Sequence, residues 1–251
     1  MPKLSQNFLC SKKISRRILE LLEPVQEKTI LEIGPGRGFL TEDLCQLCPV
    51  VALEKDDSLI PELQRLPITL LHGDALDFPL ETLSFQEIVS NVPYHITKPL
   101  LLRLEKYRHL YTKLVVMVQK EVADKLVSPF AHTFFVSRMQ ASFDITYHFF
   151  VPRSVFAPKP RVDSAVISLI PLRGEIAPET VWNWMHQLYQ KKRKCLTTSL
   201  RSLEMPLPAP HLWEGKRIDG VPTRDLISYL TSCFVQKNKK EKSATRYTRL
   251  E

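Results

Sequence analysis

No apolar run in the 251 residues approaches the roughly 18–20 positions that cross a bilayer as a helix. The opening residues, Met1-Pro2-Lys3-Leu4-Ser5-Gln6, lack the apolar core of a secretory leader, which points to a cytoplasmic protein. Five cysteines are an odd number at irregular spacing, so no disulfide framework follows. Cys45 and Cys48 have no second Cys or His pair to complete a zinc set; reduced thiols and no metal are expected. Only 7 residues are glycine, yet three of them stand together at 34, 36 and 38. What remains is the composition of a globular chain, 44% hydrophobic and 25% charged. Its length allows one or two domains.

The net charge of +8 is unevenly placed. Residues 1–180 hold 21 Lys and Arg against 21 Asp and Glu, whereas residues 181–251 hold 14 against 6. The whole surplus therefore sits in the last third, which implies a polyanionic partner engaged from that end.

The first part of the chain alternates short apolar runs with helical stretches. After a polar arm at 1–10 comes a helix at 11–23 with Ser11 as its cap. Thr29–Ile33 reads as a buried strand. It runs into Gly34-Pro35-Gly36-Arg37-Gly38 and then a helix through Leu47. Strand, glycine-rich turn, helix opens a nucleotide-binding α/β unit: the glycines let backbone approach a ligand and the helix start offers free N–H groups. The spacing is shorter than the dinucleotide fingerprint, in the form favoured by methyltransferases that use S-adenosylmethionine. Val50–Glu54 is a second strand. Glu54 stands where an acid would accept from ribose hydroxyls, though a strand-end acid can also be merely exposed. Ile68–Leu71 is a third strand, followed by Gly73-Asp74-Ala75, and Asp74 could accept from an adenine amino group. Ligand sites in open parallel sheets lie along these carboxyl ends.

A fourth strand over 86–90 delivers Asn91-Val92-Pro93-Tyr94 to the same edge. This order suits methyl transfer to the exocyclic amine of a nucleobase, whose lone pair is delocalised into the ring. Asn91 and the carbonyl of Val92 can accept the two amine hydrogens and free that lone pair, Pro93 fixes the backbone, and Tyr94 offers a stacking face. A plain strand-to-helix turn would also use Asn and Pro. Helix 98–107, strand 114–118, a helix opening at 119–123, a helix over 131–143 and two edge strands at 145–151 and 165–170 follow. The proline-rich link between the last two carries Phe156, either a packed loop aromatic or a second stacking face. Beyond a linker at 171–178, residues 179–202 read as one amphipathic helix. It carries Lys191, Lys192, Arg193, Lys194 and Arg201, either a solvated run or contacts to phosphates. Thr223 caps a last helix to 235, and a basic tail from Lys237 is expected to be disordered.

Taken in order, Gln6-Asn7-Phe8-Leu9, Glu32-Ile33-Gly34-Pro35-Gly36, Glu54, Gly73-Asp74-Ala75, Asn91-Val92-Pro93-Tyr94-His95-Ile96, Gln119-Lys120-Glu121-Val122 and Phe156-Ala157-Pro158-Lys159-Pro160-Arg161-Val162-Asp163-Ser164-Ala165-Val166 form a set. The chain resembles the KsgA-type ribosomal RNA adenine dimethyltransferases over nearly its full length. Val92 replaces the usual Leu and Ser90 the common Gly. The resemblance implies an α/β fold: a Rossmann-like S-adenosylmethionine-dependent catalytic domain at 1–173, a small helical RNA-binding domain at 174–236, and the tail at 237–251. It implies dimethylation of two adjacent adenines near the 3′ end of small-subunit rRNA, by a monomer acting on a pre-assembled small ribosomal subunit, with S-adenosylhomocysteine as product. Cofactor contacts would fall on Asn7, Leu9, Gly34, Gly36, Glu54, Asp74 and Asn91. Three rivals remain: a large-subunit dimethyltransferase giving macrolide resistance, a non-catalytic nucleic-acid-binding factor on the same fold, and a small-molecule amine methyltransferase. The last leaves the basic C-terminal third unexplained.

Overall fold

The computed structural model describes residues 7–22, 24–91, 93–131, 133–173, 177–205, 207 and 212–247, with side chains described through residue 236. The chain divides into two compact units, one of residues 1–127 and 143–172, the other of residues 128–142 and 173–251.

The first unit is built on a seven-stranded sheet. Its elements run β1 (Phe8–Leu9), α1 (Lys12–Leu22), β2 (Ile30–Ile33), α2 (Thr41–Leu44), β3 (Val50–Glu54), α3 (Ile60–Leu63), β4 (Thr69–His72), β5 (Glu87–Asn91), α4 (Thr97–Lys106), β6 (Lys113–Gln119) and α5 (Lys120–Val127). β7 (Phe143–Val151), β8 (Phe156–Ala157) and β9 (Ser164–Pro171) complete it. The strand order is β4-β3-β2-β5-β6-β9-β7, with the first five parallel and β9 antiparallel to both its neighbours, β6 and β7. Every residue of β2 is buried, as a central parallel strand covered on both faces must be. The expected edge hairpin forms, with β9 lying inside against β6 and β7 outermost.

α1 shows why the sheet is covered. Ile14, Ile18, Leu19 and Leu22 recur at helical spacing and are buried, while Lys13 and Arg16 face out. Ser11 Oγ accepts from the Ile14 amide at 3.4 Å and starts the helix. A feature with no periodicity to announce it is β1: it pairs antiparallel with β8, Leu9 opposite Phe156, and forms a two-stranded strap.

The second unit is helical, with α6 (Phe134–Ser142), α7 (Glu179–Gln190), α8 (Leu196–Arg201) and α9 (Thr223–Tyr247). Four expectations change here. Residues 128–142 belong to this unit and not to the first domain. The reason is packing: Phe134 meets Trp182, His186 and Tyr189 edge-on, and the Tyr189 hydroxyl donates to the Ala131 carbonyl at 3.0 Å. The single helix expected over 179–202 breaks into α7 and α8, and Lys191–Lys194 occupy the turn between them. Four adjacent cations without carboxylates one helical turn away gain nothing from helical stacking. α9 continues through Tyr247, past the expected stop at 235, because Lys, Glu and Ala beyond it are good helix formers. Its Thr223 hydroxyl donates to Gln140 Oε1 at 2.9 Å instead of capping. Among the described residues no helix is long and apolar enough to cross a membrane.

Candidate active site

The strand ends β2, β3, β4 and β5 converge on two adjoining cavities in the first unit. Gly34, Glu54 and Pro93 line both. Asn7, Leu9, Glu32, Gly36, Asn91, Tyr94 and Phe156 line the first, and Asp74 with Gly73, Ala75, His95 and Ile96 the second.

The glycine turn after β2 needs its glycines. Gly34 and Gly36 have φ of +70° and +61°, which side chains with a β-carbon rarely adopt. At Gly34 a Cβ would enter open space, whereas at Gly36 it would stand 3.1 Å from the Phe8 ring. The arm is thus packed directly on the turn, with the Arg37 guanidinium 5.1 Å from the centre of that ring.

Two carboxylates at this end differ in how they are held. Glu54 Oε2 accepts from the Gly36 amide at 3.1 Å, and Oε1 from the Lys55 and Asp56 amides at 2.8 Å each. The sequence expectation left Glu54 free for ribose hydroxyls; it is anchored first by backbone, with lone pairs to spare. Glu32 lies on fully buried β2, and among the described residues neither its Oε2 nor the nearby Thr41 hydroxyl meets a partner in full hydrogen-bonding geometry. Burial raises the Glu32 carboxyl to about 7, the Thr41 hydroxyl pulls it down and the Glu54 charge adds to the rise. Asp74 accepts from Lys55 Nζ and from the Leu76 amide at 2.9 Å. Burial lifts its carboxyl, but Lys55, Leu76 and Arg103 outweigh that and hold it below the ordinary carboxylate range.

Asn91 ends β5. Its Nδ2 donates to the Asn7 carbonyl at 3.4 Å, and among the described residues Oδ1 accepts no hydrogen bond. Val92 lies outside the described residues. Pro93 sits at φ −55°, ψ 129° and opens a short turn at Tyr94–Ile96. The Tyr94 hydroxyl shares a hydrogen bond of 2.7 Å with the buried Ser164 Oγ, which fixes the ring. Burial raises the phenol, Ser164 lowers it, Asp163 raises it, and the net direction is up. Phe156 is 5% exposed and belongs to the core behind the cavity; it is a packed aromatic whose surface also lines the site. Ser90, in place of the common Gly, donates Oγ to the Ile33 carbonyl at 2.7 Å and is buried without cost in unpaired groups.

Lys191, Lys192, Arg193, Lys194 and Arg201 belong to the second unit. Lys192, Arg193, Lys194 and Arg201 are exposed, and Lys191 Nζ donates to Ser202 Oγ at 2.7 Å. Sequence reasoning missed Glu32, Ser164 and the Phe8–Arg37 contact as parts of the site. For Glu32 a signal existed, an acid inside an otherwise apolar buried strand. Among the described residues no cluster of three or more His, Cys, Asp or Glu could hold a metal ion.

The profile of the ribosomal RNA adenine dimethylases matches residues 1–217. The chain belongs to the ribosomal RNA adenine dimethylase family. A relative from Chlorobium limicola named ribosomal RNA small subunit methyltransferase A is 34% identical over 235 residues, covering 89% of this chain and 85% of its own. A protein of the same name from Geobacter metallireducens is 33% identical, with 87% and 86% covered. Among solved structures, a dimethyladenosine transferase from Plasmodium falciparum superposes with a TM-score of 0.76 at 24% identity, over 93% of this chain and 98% of that one. The 23S rRNA methyltransferase ErmE reaches 0.72 at 23%, over 90% and 98%. These two likenesses show the fold alone, a Rossmann-like α/β sheet, and the family's dimethylase assignment rests on the sequence relatives.

Proposed function

We propose that this chain dimethylates the N6 amines of two adjacent adenines near the 3′ end of small-subunit rRNA, using S-adenosylmethionine, on small ribosomal particles in the cytoplasm. The observation that carries the reading is one cavity lined by the Gly34–Gly36 turn and Glu54 together with Asn91, Pro93 and Tyr94. The cavity fits the cofactor on its own terms. Gly34 leaves open the space a Cβ would fill, Glu54 retains acceptor capacity for ribose hydroxyls, and the unpartnered Glu32 Oε2 suits an ammonium group. Asp74 lines the adjoining cavity, where an adenine amino group would exchange with Lys55.

When bound, the cofactor supplies an electrophilic methyl on a sulfonium. This chain's residues do the rest by placement. Asn91 Oδ1 accepts one hydrogen of the target amine, because Nδ2 is engaged by the arm. In the first transfer the carbonyl of Val92 would accept the other, drawing the nitrogen toward tetrahedral geometry; in the second, the one remaining hydrogen engages one of the two acceptors. Tyr94, locked by Ser164, stacks on the extruded base, and Phe156 closes the wall behind it. No strong general base is required. The amine proton becomes acidic as the nitrogen takes on positive charge, so it passes to bulk water after methyl transfer without a strong base in the site. Positioning and exclusion of water supply the acceleration. Lys191–Lys194 and Arg201 contribute salt-dependent affinity for rRNA.

The test is to incubate the chain with labelled S-adenosylmethionine and small ribosomal subunits lacking their adenine methylation, then digest the RNA to nucleosides. Labelled dimethyladenosine in small-subunit rRNA is expected. Salt-sensitive binding to those particles without transfer would instead favour a non-catalytic binding factor.

A further inference from the structure

The equal count of charges in residues 1–180 conceals a separation. At the β3–β4 end of the sheet, residues 54–81 hold seven acids and two bases, Lys55 and Arg65. Lys55 is moreover tied to Asp74. At the β9–β7 end, the link between these strands over 151–163 holds Arg153, Lys159 and Arg161 against a single acid, Asp163.

That acid is occupied in building the link: Asp163 Oδ1 accepts from the Arg153 amide at 2.8 Å. The Arg153 guanidinium donates to the Arg161 carbonyl at 3.1 Å, so these two cations share one turn. Arg153, Lys159 and Arg161 are all exposed, and none of them is in an ion pair among the described residues. The link is also the part of the chain that frames the base-binding side. Phe156, between Arg153 and Lys159, lines the cavity, and Ser164, directly after Asp163, holds Tyr94. An exposed basic loop is ordinarily only solvated. Here it borders two aromatic rings, at the opposite end of one edge from a band of acids.

We propose that Arg153, Lys159 and Arg161 form a second RNA-contact surface, on the catalytic unit itself, which holds the phosphates flanking the extruded nucleotide. This deepens the function proposed above and rests on it for the identity of the RNA. The chemistry is that of phosphate recognition: cations fix register and orientation without reading sequence. The acidic β3–β4 end repels the same backbone, so the edge admits RNA from one side. Net charge by sequence segment misses this, because a polyanion responds to the local field and not to the sum.

The experiment uses the full chain with Lys159→Gln and Arg161→Gln combined. Arg153 is left intact because it supports the turn. Binding to small ribosomal subunits lacking adenine methylation is measured across a salt series. Each lost phosphate contact removes about 0.7–0.9 from the slope of log K against log salt, so a slope shallower by about 1.4–1.8 is expected. KM for the particle should rise, with kcat and cofactor affinity within about twofold of the parent. An unchanged slope overturns the proposal, as does a fall in kcat with slope and KM intact, which would make the link a structural support. The slope is a binding measurement, so a parent chain that binds but transfers no methyl would overturn the proposed reaction and leave this surface standing.

Discussion

The two halves of the cavity solve opposite problems. On the glycine-turn side the groups are carboxyls, and each is held differently: Glu54 by three backbone amides, Asp74 by Lys55 and the Leu76 amide, and Glu32 Oε2 by no partner among the described residues. On the Asn91 side the groups are neutral amides, hydroxyls and rings, locked by single hydrogen bonds to Asn7 and Ser164. On the function proposed above, the difference matches the two ligands: a charged cofactor would be met by prepaid charge and fixed backbone, and a neutral base by oriented acceptors and flat surfaces. Binding should therefore fail when the first half is damaged, and transfer when the second is.

The largest effect on stability is expected from the orphaned acid. A carboxyl raised from 4.5 to about 7 binds its proton more tightly in the folded chain. Between those two values the folded state holds more protons than the unfolded one, so stability falls as pH rises through the window and is level above it. At about 1.4 kcal/mol per unit the loss is up to about 3 kcal/mol. Glu32→Gln removes it. Denaturant unfolding of parent and variant from pH 4 to 8 (roughly the window's span) should show curves that diverge as pH rises, and parallel curves would contradict the burial account. With cofactor present the parent's loss should shrink, as an ammonium partner favours the charged form.

Glu54→Gln sharpens the same half. Three amides lose a charged acceptor, and charge-assisted hydrogen bonds are worth about 1.5–3 kcal/mol. Cofactor affinity, read by calorimetry, should drop at least about tenfold, while kcat at saturating cofactor changes less. On the other half, Ser164→Ala leaves the Tyr94 ring in place but frees its hydroxyl. A loss of about 1 kcal/mol, roughly fivefold in kcat/KM for RNA, is expected with cofactor affinity unchanged. A selective fall in cofactor affinity would erase the distinction between the halves.

The neutral half was also the more legible in sequence. Asn91, Pro93 and Tyr94 fall within four positions at the end of one strand, so their common placement needs no distant partner to be read. The glycines and Glu54 were legible because each terminates a strand whose apolar run announces it. β1 and β8 were not, since two-residue strands carry no period and their partners lie far apart in the chain. Residues 128–142 were misassigned because helical periodicity says where a face is and not which helices cover it. The break at Lys191–Lys194 was hidden by the apolar spacing on either side of it. The charge separation along the sheet edge escaped a count by segment because strand order, not chain order, sets which residues are neighbours.

Asn91 stands where the two halves meet, so it tests the division most directly. Cofactor binding by calorimetry and methyl transfer to small ribosomal subunits should be measured together on the parent chain and on Asn91→Ala. Transfer is expected to fall by about 100-fold or more, as for loss of an aligned catalytic contact, with cofactor affinity within about tenfold and the unfolding midpoint unchanged. Transfer retained to within about fivefold, or lost only in step with cofactor affinity, would contradict the assignment of Asn91 to the target amine.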